Sequence, residues 1–262
     1  MTIFVKPDGG GHWYTSDGVP QYEATLREAR KENLYPSPTS ILNIMHSSGL
    51  ERWKLNQAIA AAVELPRGAA EADEAYGSRI AERADVLRNQ AAELGTLVHD
   101  GIEKMISGRL YDESHPVLAK FSEWSAENIK AHEWLERVLV NHKLGVAGKA
   151  DALVYFKGKA AEITGDRPCL VDWKTQRMKM SRAKKPVYKP VYYDKWVMQL
   201  AFYASCEMAP PPIVSVAINT SEPEEPYIKL WTLKEREEAM AAFEAALRLW
   251  QYEKNYKPEL TY

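Results

Sequence analysis

The chain has 262 residues, 45% of them hydrophobic and 27% charged, with a formal net charge of −2. That is enough apolar content for one large domain, or a core with a sizeable elaboration, and the near-neutral balance excludes a globally basic nucleic-acid binder. No apolar run reaches the length of a membrane span, and Lys6 and Asp8 stand where a signal peptide needs apolar residues, so a cytoplasmic chain with no membrane contact is expected.

In chain order, residues 2 to 25 read as a hairpin around Gly9 to Gly11, followed by a polar helical piece ending near Asn33. Ser37 can cap a helix whose first residue is Pro38 and which Gly49 can end. A helix from about Leu50 to Leu65 follows. From Ala69 to Ile106 the spacing of Ile80, Ala84, Leu87, Ala91, Leu94, Val98 and Ile102 keeps an apolar stripe on one helical face, with Gly95 as a possible interruption. After a helix over His115 to Lys130, Trp134 to Tyr155 suits two strands joined near His142 to Gly145, and Cys169 to Thr175 suits a third. A basic loop leads to a helix from about Lys195 to Met208, strands at Ile213 to Asn219 and Tyr227 to Trp231, and a closing helix from Lys234 to Tyr252. The expected fold is α/β (α+β), a central mixed sheet flanked by helices. Residues 1–94 form an N-terminal hairpin and helical region, and residues 95–262 the core, in one continuous globular unit.

Chemistry-bearing residues concentrate in the middle strands. Asp151 follows Gly148 in an apolar strand, and Asp172 and Lys174 project from one face of Val171 to Thr175 while Trp173 points to the other. Hairpin pairing would bring Asp151 beside them. Two carboxylates and a main-chain carbonyl make a hard oxygen site for Mg²⁺, and a neighbouring ammonium can orient water or offset charge on a phosphorane. An acid two positions before a lysine is expected by chance about two or three times in such a chain; it occurs once, in this strand. A surface ion pair on an edge strand is the alternative.

Two further pairs flank this triad. His99 follows Gly95-Thr96, with Glu103 one helical turn on, so an imidazole and a carboxylate share a face; a satisfied core histidine is the bland alternative. Gln199 and Tyr203 also lie one turn apart, where a surface glutamine beside a core tyrosine would look the same. Between triad and helix, Arg177, Lys179, Arg182, Lys184, Lys185, Lys189 and Lys195 are interrupted by one acid, Asp194, and interleaved with Tyr188, Tyr192, Tyr193 and Trp196. Cations can hold phosphates while aromatic faces stack on unpaired bases, although a charge run can equally be a solvated surface.

In this order, Gly-Thr-x-x-His, an Asp after a Gly-containing strand, Asp-x-Lys and Gln-x-x-x-Tyr resemble the RecB-like branch of the PD-(D/E)xK nucleases. The match covers about Gly95 to Trp231. Upstream, Tyr35 to Leu42 and Gly49-Leu50-Glu51-Arg52-Trp53 look like the leader of phage and mitochondrial genome maintenance exonucleases in that branch. The resemblance implies a restriction-endonuclease-like core in which His99, Asp151 and Asp172 are metal ligands, Trp173 gives its carbonyl, and Lys174 is the catalytic lysine. It also implies that Gln199 and Tyr203 position nucleic acid or the lysine, with Thr96 and Glu103 behind the ligands. The implied activity is a Mg²⁺- or Mn²⁺-dependent exonuclease on DNA that is single-stranded or has free ends, working in recombination, repair or phage DNA metabolism in the cytoplasm of a bacterial or phage-infected cell. An endonuclease of the same superfamily and a non-catalytic DNA-binding subunit are the alternatives. Relatives with an iron-sulfur cluster use four cysteines; Cys169 and Cys206 cannot supply them, so no iron-sulfur cluster is expected and both read as packing residues. Gly145 to Ala150 lacks the spacing and the Ser or Thr of a phosphate loop, so no ATP is expected.

Overall fold

The computed structural model describes residues 12–46, 48–181 and 187–260. They divide into two units, Met1–Ile44 with Ile102–Tyr262, and Met45–Gly101. This division falls elsewhere than 94/95, for a physical reason. The N-terminal segment is tied to the C-terminal end: the Tyr256 hydroxyl reaches the carbonyls of Ala29 and Leu34 at 2.9 and 2.7 Å, and Asn33 Nδ2 donates to the Glu259 carbonyl at 2.9 Å. The helical region is therefore an excursion within the chain.

In the first unit, β1 (Trp13–Tyr14) and β2 (Pro20–Gln21) form a hairpin, and β3 (Tyr35–Pro36) pairs on the other side of β1. The turn lies at Thr15 to Gly18, where the Gly18 N–H donates to the Thr15 carbonyl and Gly18 takes φ +82°. The hairpin expected at Gly9 to Gly11 lies outside the described residues. Helix α1 (Leu26–Glu32) opens on a capping box between Thr25 and Glu28. Ser37 caps α2 (Pro38–Leu42) as expected, but α2 stops at Asn43, not at Gly49.

The second unit holds α3 (Ser48–Glu64), which includes Gly49, and most of α4 (Asp73–Ile106), which runs through Gly95 without a break. Ion pairs between Arg79 and Glu71 (2.7 Å) and between Arg83 and Glu64 (2.7 Å) link the helices and the turn within this unit.

The core of the first unit is a five-stranded sheet, with helices α5 (Pro116–Asn128), α6 (Gly158–Thr164), α7 (Asp194–Ser205) and α8 (Leu233–Lys254) around it. Its strands are β4 (Ile129–Asn141), β5 (Val146–Phe156), β6 (Cys169–Gln176), β9 (Ile213–Asn219) and β10 (Tyr227–Leu230), in the order β10-β9-β6-β5-β4. Only β6 and β9 run parallel, joined by a crossover through α7, so this is a mixed α/β fold. All of β9 is buried, which explains its mostly apolar run, Ile213-Val214 and Val216-Ala217-Ile218. The one serine between them, Ser215, accepts the Trp231 indole N–H at 3.0 Å. Three details depart from expectation. Strand β4 starts at Ile129, inside the span that reads as helix; α6 is an additional element; and part of the basic loop pairs as a ribbon of β7 (Lys179–Met180) and β8 (Tyr188–Lys189). No described helix is long and apolar enough to cross a membrane.

Candidate active site

The site forms where two strands part. Antiparallel pairs run between β5 and β6 from Val154↔Cys169 to Ala152↔Val171 and stop there. The next residues in register are Asp151 and Asp172, side by side on one face. Asp151 Oδ2 accepts the backbone N–H of Trp173 at 2.8 Å, filling the place a ladder bond would take. On its other edge β6 stays paired with β9 as far as Gln176↔Asn219, so only the β5 side opens. Trp173 turns to the opposite face, edge-on to Phe121 of α5 at 5.5 Å between ring centroids. The alternation expected from sequence is therefore observed.

Lys174 shares the face of Asp172, and its Nζ lies 2.7 Å from Asp172 Oδ1 and 3.3 Å from Gln199 Oε1. A lysine ammonium can only donate, so the glutamine oxygen must face it. Gln199 Nε2 then lies 3.3 Å from the Tyr203 oxygen, and the Tyr203 hydroxyl donates to the Lys149 carbonyl at 2.9 Å. The Gln199 and Tyr203 pair on α7 thus connects the lysine to the backbone of β5. Glycine at 148 makes this approach possible. A Cβ there would lie 2.7 Å from Pro38 Cδ and 3.0 Å from the Tyr203 hydroxyl.

Burial governs the electrostatics. Asp172 is 4% exposed. Burial, followed by the charge of Asp172, pushes the Asp151 carboxyl up to about 8. Burial works against the charge of Lys174, but Asp172 and Asp151 more than offset it and hold the ammonium above its ordinary value. Burial drives the Tyr203 phenol far above its usual range, so it remains a hydrogen-bond donor.

The donor set fits a hard divalent cation. Asp172 Oδ2 is buried with no hydrogen-bond partner, an arrangement that costs about 1–3 kcal/mol or more for a charged group unless something takes up the lone pairs. Magnesium is commonly held by one or two carboxylates with water and substrate oxygens completing the shell. Among the described residues, no three His, Cys, Asp or Glu side chains form a group able to hold a metal. His99 lies on α4 in the second unit, whereas Asp151, Asp172 and Lys174 belong to the first.

The remaining expected residues are spread more widely. Glu103 is ion-paired with Arg109, and the Thr96 hydroxyl donates to the Ala92 carbonyl of its own helix at 3.1 Å. Arg177, Lys179 and Lys189 are exposed, and Lys179 and Lys189 face each other across the β7-β8 ribbon. Arg182, Lys184 and Lys185 lie outside the described residues. Next to the ribbon, Tyr193 packs edge-on to Trp196 at 5.1 Å, and Tyr192 to Trp196 at 6.2 Å, with Tyr193 42% exposed.

Compared with known protein families and with curated proteins, the chain gives no match. Sequence reasoning passed over Glu136 and the side chain of Lys149. The flanking pairs Leu135↔Ala152 and Arg137↔Ala150 set Glu136 opposite Asp151, and Glu136 takes φ +50° in mid-strand. For a residue with a side chain that conformation costs about 1–3 kcal/mol and concentrates at functional sites. The only sequence signal was its register with Asp151 across the hairpin.

Proposed function

We propose that the chain is a metal-dependent deoxyribonuclease of the RecB-like PD-(D/E)xK kind, hydrolysing phosphodiester bonds at the ends of single-stranded DNA. One observation carries this reading: Asp172 presents a buried carboxylate oxygen with no hydrogen-bond partner, next to Asp151 across the opened strands and with Lys174 on its other oxygen. The order of the four sequence motifs supports the same reading, and the absence of matching relatives leaves it resting on these residues.

In this reading Asp151, Asp172 and the Trp173 carbonyl hold Mg²⁺ or Mn²⁺, with water and substrate oxygens completing the shell. The bound ion supplies Lewis acidity, lowering the pKa of a water and offsetting charge on the phosphorane. The chain's own residues do the rest. Lys174 remains protonated, so it acts as a fixed positive donor toward water or phosphate and not as a base. Gln199 and Tyr203 hold that ammonium in place, as a catalytic donor must be held before the reaction begins. Arg177, Lys179 and Lys189 present cations to the phosphate backbone, and the exposed ring of Tyr193 offers a stacking face.

The preference for ends follows from the resemblance and is tested by comparing linear and circular single-stranded DNA with Mg²⁺ and with Mn²⁺. Loss of the linear strand alone is expected. Rapid loss of circles would make the protein an endonuclease. Tight, metal-independent binding without cleavage would make it a DNA-binding subunit.

A further inference from the structure

The sheet face that carries Asp151 and Asp172 also carries a third acid. Register places Glu136 opposite Asp151 on the β4 side, as it places Asp172 opposite on the β6 side. Cross-strand neighbours of antiparallel strands share a face, so Glu136, Asp151 and Asp172 form one row. The charge of Glu136 acts on Asp151. Its carboxylate, however, is ion-paired with the ammonium of Lys149, two residues before Asp151 on β5 and on the same face. Asp172 is likewise paired with Lys174.

We propose that Glu136 is an acid of the same sheet face kept out of the metal site by its ion pair with Lys149, so that Asp151 and Asp172 take a single divalent cation and no second one. The inference rests on the metal-site reading above and sets its stoichiometry. Once a bound ion has displaced the proton of Asp151, the three carboxylates and the two ammoniums leave one net negative charge. The first divalent ion therefore already turns the site net positive, which disfavours a second. Removing the Lys149 ammonium leaves two negative charges, which the first ion only neutralises, and releases the Glu136 carboxylate from its ion pair. A second ion could then share Asp151, as bridging carboxylates do in two-metal sites. The independent pointer to a ligand is the buried, unbonded Oδ2 of Asp172.

Calorimetric titration of the metal-free, full-length protein with Mn²⁺ as the only divalent ion tests this. One site per chain is expected for the parent, two for Lys149→Met, and one again for the double variant Glu136→Gln/Lys149→Met. Thermal melting establishes that each variant is folded, and the parent's count stands whether or not they are. Two sites on the parent, one on folded Lys149→Met, or two on the folded double variant would each overturn the proposal. If the parent binds no Mn²⁺, the metal reading itself fails, which is a different result from binding two.

Discussion

Asp151 accepts the backbone N–H of Trp173 at 2.8 Å, so the carboxylate that would face a cation also closes the seam between β5 and β6. Burial and then the charge of Asp172 raise the Asp151 carboxyl to about 8, against the lowering effects of Lys174 and of that bond.

A dependence of stability on pH follows. Without metal, folded Asp151 keeps a proton that the unfolded chain releases near pH 4. The stability this contributes is complete below about pH 4 and is lost as pH rises toward about 8. Urea unfolding in a chelator should show the parent losing stability across that window more steeply than Asp151→Asn, by up to ~1.4 kcal/mol per pH unit. Equal slopes would mean that Asp151 is ionised in the fold.

Metal binding should release that proton. Below about pH 8, Mn²⁺ must displace it from Asp151, so affinity should rise by up to about tenfold per pH unit and then level off. Titration in two buffers of different ionisation heat counts the proton directly. An unchanged heat at neutral pH would contradict the assignment.

The link from Lys174 to β5 predicts a positioning effect. In Gln199→Ala, the lysine loses its 3.3 Å acceptor while Asp172 remains. Cleavage should fall by about 10- to 100-fold, mainly in kcat, because small displacements of a catalytic group are costly. Unchanged kcat with raised KM would instead place Gln199 on the nucleic acid.

Gly148→Ala should be more disruptive than its size implies. The added Cβ would sit 2.7 Å from Pro38 Cδ, a rigid ring atom, and 3.0 Å from the Tyr203 hydroxyl. Relief requires moving α2 or α7, at about 1–3 kcal/mol, with loss of the Tyr203 bond to the Lys149 carbonyl. A midpoint in chemical denaturation unchanged from the parent would contradict the close approach.

Much of this was legible in the sequence because it is local. The Ser37 cap, the alternation of Asp172, Trp173 and Lys174, and the one-turn spacing of Gln199 and Tyr203 follow from the chain's own periodicity. What was missed depends on contacts between distant residues. Glu136 gains its meaning only from cross-strand register with Asp151. The grouping of Met1–Ile44 with the core depends on Tyr256 and Glu259, more than two hundred residues away, which no local pattern encodes. The β7-β8 ribbon has strands too short to show a period, and α6, seven residues long, lacks a full apolar stripe.

The central claim is tested most directly by digesting end-labelled DNA in Mg²⁺ or Mn²⁺ with the parent, Asp172→Ala and Lys174→Ala side by side. The parent should cleave, and each variant should lose at least about a hundredfold in rate, as removal of a principal charge-stabilising group does. Equal cleavage by all three would place the chemistry elsewhere, and no cleavage by any of them would contradict the nuclease reading.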